Sequence, residues 1–167
     1  MSEAAVVPVR RGRREDEPQV LALADQLAAF PVAAWRTARE IQRADDAVIG
    51  EAVRGDAPGT VAFVAEGTHG LDGAVCLTTK LDYFSREPVA HIEVLAVDPG
   101  ARGRGVARAL IRAAEEWALA QGSRRISLNV WLQNERARGL YEHLGYRPET
   151  MHYLKELQAP GPARSVP

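Results

Sequence analysis

Residues 94–120 read VLAVDPGARGRGVARALIRAAEEWALA, and they change character twice. An apolar strand is broken at Asp98-Pro99-Gly100. The chain then passes through Arg102-Gly103-Arg104-Gly105 into a helix. Along that helix Val106, Leu110, Ala113, Ala114 and Trp117 recur at helical spacing, with Ala107, Ile111 and Ala118 beside them. Arg108, Arg112, Glu115 and Glu116 fall toward the opposite side. A glycine-rich turn between strand and helix leaves backbone N–H groups unpaired at the positive end of the helix dipole, which suits a phosphate or pyrophosphate. It is not a Walker A loop, because Gly105 is followed by Val106 and Ala107 instead of Lys-Ser/Thr. Nor is it a Rossmann fingerprint, whose third glycine would stand where Arg108 is.

Composition narrows the function classes. The 167 residues are 46% hydrophobic and 26% charged, which is the balance of one globular domain. A net charge of −1 supplies no field for nucleic acid or an anionic membrane, so neither is expected as a partner. Cys76 is the single cysteine. It sits in the apolar run Ala74-Val75-Cys76-Leu77 and reads as a buried, inert thiol in a reducing compartment. The N-terminal residues lack a signal-peptide run, and no stretch approaches the ~20 apolar residues a bilayer span needs; a cytoplasmic protein is expected. His69, His91, His143 and His152 lie on separate elements, so no metal site is expected. Lys80 and Lys155 are the only lysines, which reads as compositional bias toward arginine.

Taken in order, residues 5–10 form a short strand, with Pro8 favouring an edge. Asp16-Glu17-Pro18 starts a first helix bearing Val20, Leu21, Ala24, Leu27 and Ala28 on one face. Residues 30–35 break that pattern, and Phe30 and Trp35 make the connector a candidate pocket wall. A second helix over 37–53 carries Ile41, Val48, Ile49 and Ala52, while Glu40, Asp45, Asp46 and Glu51 read as its solvated outer side. Strands follow over 60–66, 74–79 and 89–97, then the long helix to Gly122 and a strand over 124–130. A last helix over 134–144 is capped by Asn134 and striped with Ala137, Leu140, Tyr141 and Leu144. Residues 146–157 continue as a final strand with Met151, Tyr153 and Leu157 on one side, and the proline-rich tail 158–167 is expected to be disordered. The order β-α-α-β-β-β-α-β-α-β predicts one mixed α/β domain over 5–157, a mostly antiparallel sheet flanked by about four helices.

Several of these features coincide with one family. Arg102-x-x-Gly105-x-Ala107, placed after a strand ending Val97-Asp98-Pro99, resembles the R/Q-x-x-G-x-G/A pyrophosphate loop of the GNAT family of N-acetyltransferases. The Asn134-x-x-Ala137-x-x-x-Tyr141 helix and its Leu144-Gly145-Tyr146 ending are similar to that family in order and spacing. The match is strongest from His91 to Tyr146. The resemblance implies direct transfer of acetyl from acetyl-CoA, in a ternary complex and without metal, to a primary amine of a small molecule or peptide. It implies that Leu95, Ala96 and Val97 line the acetyl and pantetheine path, and that Arg102, Gly103, Arg104, Gly105, Val106 and Ala107 hold the pyrophosphate. Asn134 would bind the pantetheine or a linking water. Acetyl-CoA and an amine acceptor are the implied partners, with a homodimer among the assemblies open to the chain.

The chemistry asks for few groups. An aliphatic amine is mostly protonated at pH 7, so a base must take a proton, and the departing thiolate needs one. Glu93 is the candidate base. Strand alternation puts it with His91, Leu95 and Val97, opposite Ile92, Val94 and Ala96, and a carboxylate in so apolar a strand should face a wet cleft. His91 is the alternative base and otherwise a packing or rim residue. Tyr141 lies two turns beyond Asn134 on the same side of its helix, and the resemblance makes its hydroxyl the acid for the coenzyme A sulfur. The rival readings are a ribosomal-protein-type N-terminal acetyltransferase, a non-catalytic acetyl-CoA sensor, and a regulatory domain binding another nucleotide.

Overall fold

The computed structural model describes residues 6–28 and 35–157. Ala5, Phe30, the side chain of Ala28 and the tail over 158–167 lie outside them. Five strands form one sheet in sequence order: β1 (Val9–Arg11), β2 (Thr60–Gly67), β3 (Gly70–Leu81), β4 (Pro88–Val97) and β5 (Ile126–Leu128). The first four are antiparallel neighbours and β5 lies parallel to β4. That last pairing requires a crossover, which α3 (Val106–Ala120) supplies. β1 is the edge strand that Pro8 predicted.

The helices begin and end where side chains can satisfy their free backbone groups. At the start of α2 (Ala38–Arg54), Thr37 Oγ1 accepts from the Glu40 N–H at 3.2 Å, and the Glu40 carboxylate accepts from the Thr37 N–H at 2.8 Å. Gly55, at φ 68°, closes the other end. α1 (Glu17–Ala24) carries Pro18 in its first turn. α3 stops in a Schellman arrangement: the N–H of Gly122 reaches Leu119 O at 3.0 Å and that of Ser123 reaches Ala118 O at 2.9 Å. α4 (Glu135–His143) is capped by Asn134, whose Oδ1 accepts the Ala137 N–H at 3.1 Å.

Both faces of the sheet are covered. Val20, Leu23, Ile49 and Val53 of α1 and α2 pack on Val64, Ala74, Cys76, Val94 and Ala96. Val106, Leu110 and Ala114 of α3 pack on Val61, Val75, Leu77 and Ile92. Cys76 is fully buried, and that burial pushes its thiol up to about 12, so it is inert as expected. Gly73 lets β3, β4 and α3 close on one another. A Cβ there would stand 2.8 Å from Ala96 O and 3.0 Å from Val106 Cγ1.

Two expectations are corrected. Residues 146–157 form no strand: their backbone has no ladder partner among the described residues, and Met151, Tyr153, Leu154 and Leu157 are exposed. Alternation needs a face to bury against, and this segment has none. β5 likewise pairs over three residues only, not over 124–130. Among the described residues no helix is long and apolar enough to cross a membrane.

Candidate active site

The decisive irregularity lies in β4. Cys76 pairs with Val94 and Leu77 with Ile92, so Glu93 has no partner of its own across the ladder. This is a β-bulge, which bends and twists the strand that carries it. It also corrects the expected facing of Glu93. Leu95 and Val97 pack with Ile92 toward α3, whereas Val94 and Ala96 pack toward α1 and α2. Glu93 keeps company with His91, Thr78 and Lys80 on the α2 side and does not share a face with Leu95 and Val97. Strict alternation fails because the bulge inserts one residue between Ile92 and Val94.

The bend has a second effect. β4 pairs with β3 as far as Val97, but with β5 only at Ala90, His91 and Ile92. Past Ile92 the two parallel strands part, and the outer backbone edge of Glu93, Val94 and Leu95 opens onto a cleft of about 370 Å³. Its lining also takes in Asn129 and Trp131 beyond β5, the cap Asn134 and Tyr141 of α4, and Glu40 and Asp45 of α2. A half-paired strand edge offers donors and acceptors in strand register, so an extended ligand bearing amides can add to it as a short strand.

Glu93 is held by one oxygen. Its Oε1 accepts from Thr78 Oγ1 at 2.7 Å and pairs with Lys80 Nζ at 2.6 Å, while Oε2 is 3.9 Å from His91 Nε2. Burial raises the Glu93 pKa, but the hydrogen bonds from Lys80 and Thr78 and the lysine charge outweigh it. The carboxyl therefore sits below the ordinary glutamate range. It is ionised at neutral pH with one oxygen uncommitted. His91 is buried, not at a rim. Its Nδ1 lies 2.8 Å from Ser127 Oγ, and its Nε2 faces the Asn129 amide at 3.4 Å. Burial and the Lys80 charge depress its pKa against the pull of Glu93, leaving a neutral ring at pH 7.

Tyr141 and Asn134 line the same cleft, as their spacing predicted. Asn134 spends its carbonyl on the cap, which leaves its amide N–H groups for the cleft. The Tyr141 ring is half-buried and leans on Tyr146 at a centroid distance of 5.7 Å. Tyr146 in turn donates to Glu115 on α3 at 3.2 Å, tying α4 to the crossover helix. Burial pushes the Tyr141 hydroxyl up to about 12, so it stays protonated through the physiological range.

The glycine turn is built as a cradle. Asp98 Oδ1 accepts the Gly100 N–H at 2.8 Å, fixing the exit from β4. Gly103 and Gly105 hold φ of 76° and 83°, and the first backbone bond into α3 runs from Ala109 to Gly105 O. The N–H groups of Gly103, Gly105, Val106, Ala107 and Arg108 therefore have no protein acceptor among the described residues. Several donors at a helix start, bare of side chain at Gly105, fit a pyrophosphate. Arg102 is exposed beside them, and Arg104 pairs with Asp72 at 3.4 Å.

Sequence reasoning missed the partners of Glu93. The sequence shows Thr78 only as part of the strand over 74–79 and Lys80 only as one of two lysines, yet their i, i+2 spacing puts them on one face of β3, and the hairpin register sets that face beside Glu93. It also read Asp45 as a solvated outer residue. Asp45 is half-buried on the cleft wall, and burial, Asp46 and Glu93 all raise its pKa.

Known proteins bear directly on this geometry. The model of the acetyltransferase (GNAT) family matches residues 21–146, which take in the bulge, the cradle and the tyrosine helix. The chain belongs to the GNAT family. Among its GNAT relatives, a mycothiol acetyltransferase of Beutenbergia cavernae is 51% identical over 62 residues, 37% of this chain and 21% of that protein. An uncharacterised Bacillus subtilis N-acetyltransferase is 26% identical over 153 residues, 90% of this chain and 98% of its own. The chain thus spans only 21% and 31% of the first two curated relatives it matches. Among solved structures, a Pyrococcus furiosus protein described as an acetyl transferase superposes with a TM-score of 0.72 at 25% identity, covering 91% of this chain and all of that one. An aminoglycoside N-acetyltransferase in complex with CoA gives 0.70 at 20% identity, covering 95% and 99%; at that identity it speaks for the fold.

Proposed function

We propose that this GNAT protein transfers acetyl from acetyl-CoA to a primary amine of a small polycationic molecule. The observation that carries the reading is the bulge at Glu93: it opens the β4 edge and sets an ionised carboxylate beside that edge. In this reading the N–H groups of Gly103 to Ala107 bind the pyrophosphate, with Arg102 and Arg104 at its rim. Leu95, Ala96 and Val97 offer their backbone to the pantetheine arm, and the Asn134 amide steadies it. Backbone N–H groups near the bulge polarise the thioester carbonyl. Glu93 takes a proton from the acceptor ammonium, directly or through water, and Tyr141 gives one to the departing thiolate.

The acceptor class follows from charge. Among the described lining residues Glu40, Asp45 and Glu93 stand with Arg36 as the one cation, Lys80 reaching Glu93 from beside the cleft, and Asp45 has no hydrogen bond or ion pair. A half-buried carboxylate with acidic neighbours is relieved by a cation. A molecule with several ammonium groups can present one to Glu93 and another to Asp45. The test is release of free thiol from acetyl-CoA across polyamines, aminoglycosides, single amino acids and short peptides. Turnover should be highest with the polyamines or aminoglycosides. Activity confined to peptide N-termini would overturn the acceptor class, and coenzyme binding without any release would favour a sensor.

A further inference from the structure

Lys80 stands apart from the other basic residues. Of 21 lysines and arginines, lysine occurs only at Lys80 and Lys155. The ion pairs Arg10–Asp16, Arg54–Glu17, Arg104–Asp72 and Arg125–Glu87 all use arginine. Its planar, always-charged fork holds a carboxylate better than an ammonium does. Yet Glu93 is paired with a primary amine, Nζ lying 2.6 Å from Oε1. That is the functional group an acceptor brings, hydrogen-bonded to the carboxylate that would take the acceptor's proton. The lysine side chain is 50% exposed on a flexible four-carbon stem, and it holds its amine against a carboxylate that lines the cleft.

We propose that Lys80 is an internal acetyl acceptor, so that with acetyl-CoA bound and no amine substrate present the enzyme acetylates its own Lys80. This rests on the reading of Glu93 as base. The ammonium yields one proton to Glu93 and thence to solvent, and the amine attacks the thioester carbonyl. The N–C bond forms as the C–S bond breaks. The second proton lost by nitrogen replaces, through solvent, the one Tyr141 gives to the thiolate. The products are N-acetyl-Lys80 and coenzyme A, with no further reactant. Acetylation deletes the cation on Glu93 Oε1 and leaves Thr78 as its donor, so it also resets the base: the acid limb of turnover against pH moves upward.

The full chain, incubated with acetyl-CoA alone, is followed by intact mass and peptide mapping, with thiol release from added amines measured on the same preparation. Lys155, exposed in the segment after α4, reports uncatalysed acetylation of the same molecule. Lys80 should gain one acetyl about a hundredfold faster than Lys155, the lower end of general acid–base contributions, at a rate independent of protein concentration. Glu93→Gln should remove the excess at Lys80 and leave Lys155 unchanged. Lys80→Arg should gain nothing at that position, and coenzyme affinity confirms that both variants are folded. Equal rates at the two lysines, or a fast Lys80 indifferent to Glu93→Gln, would overturn the inference. If Lys80 stays unmodified while added amines are acetylated, this inference fails and the proposed function stands. If a coenzyme-bound protein does neither, both fall.

Discussion

At the scale of single residues, the two groups proposed for the proton transfers stand in opposite environments. Glu93 is kept ionised by Lys80 and Thr78, and Tyr141 is kept protonated by burial. Tyr141→Phe preserves the ring against Tyr146 and removes only the hydroxyl. Folding and coenzyme affinity should be unchanged, while turnover falls by about 10²–10⁴-fold. Because that hydroxyl titrates near 12, the wild-type enzyme should show no alkaline loss from Tyr141 below about pH 10. Turnover of Tyr141→Phe equal to wild type, in a thiol-release assay, would remove the acid assignment. That Tyr141 and Asn134 share one side of their helix was legible from their seven-residue spacing, and both line the cleft. The tuning of Glu93 was not, because it depends on which β3 residues stand opposite β4, and the bulge shifts that register by one.

At the scale of elements, the β4–cradle–α3 unit was legible because every level agreed: a break at Asp98-Pro99, glycines at positive φ, and helical periodicity to Gly122. The extent of β5 and the course of the segment after α4 were not. Their alternation is genuine, but pairing is decided by what the backbone meets, and it meets a partner over Ile126–Leu128 only. The cradle itself can be isolated by a matched pair of substitutions. Gly105 and Gly122 have φ of 83° and 80°, and a Cβ at either would meet nothing within 4 Å. Alanine should therefore cost similar stability at both, about 1–2 kcal/mol. Only Gly105→Ala places a methyl in front of the donors of α3, so its coenzyme Kd should rise about tenfold or more, a loss of ~1.4 kcal/mol, while Gly122→Ala binds as wild type. Equal effects on Kd in calorimetry would reject the pyrophosphate assignment.

At the scale of the whole molecule, the fold class was legible from element order, but what ties the N-terminal strand to the rest was not. Arg10, at the end of the strand expected over 5–10, proves to be a junction. Its guanidinium grips Asp16 at 2.7 and 2.9 Å and Glu66 at 2.6 Å, and Asp16 also accepts the Arg13 N–H at 2.8 Å. One buried carboxylate thus joins β1, the start of α1 and, through Arg10, β2. The Arg10 hydrogen bonds outweigh burial and hold Asp16 below the ordinary aspartate range. A group whose pKa is lower in the folded chain stabilises it fully above the unfolded value of about 3.9 and loses that contribution as pH falls through the folded value. Asp16→Asn should cost roughly 2–4 kcal/mol at pH 7, because it leaves a half-buried guanidinium short of its partner. The deficit should shrink as both proteins are taken below about pH 4. Urea midpoints of the two proteins measured from pH 7 to pH 3 decide it: curves that stay parallel across that range would mean that Asp16 stabilises by shape and not by charge.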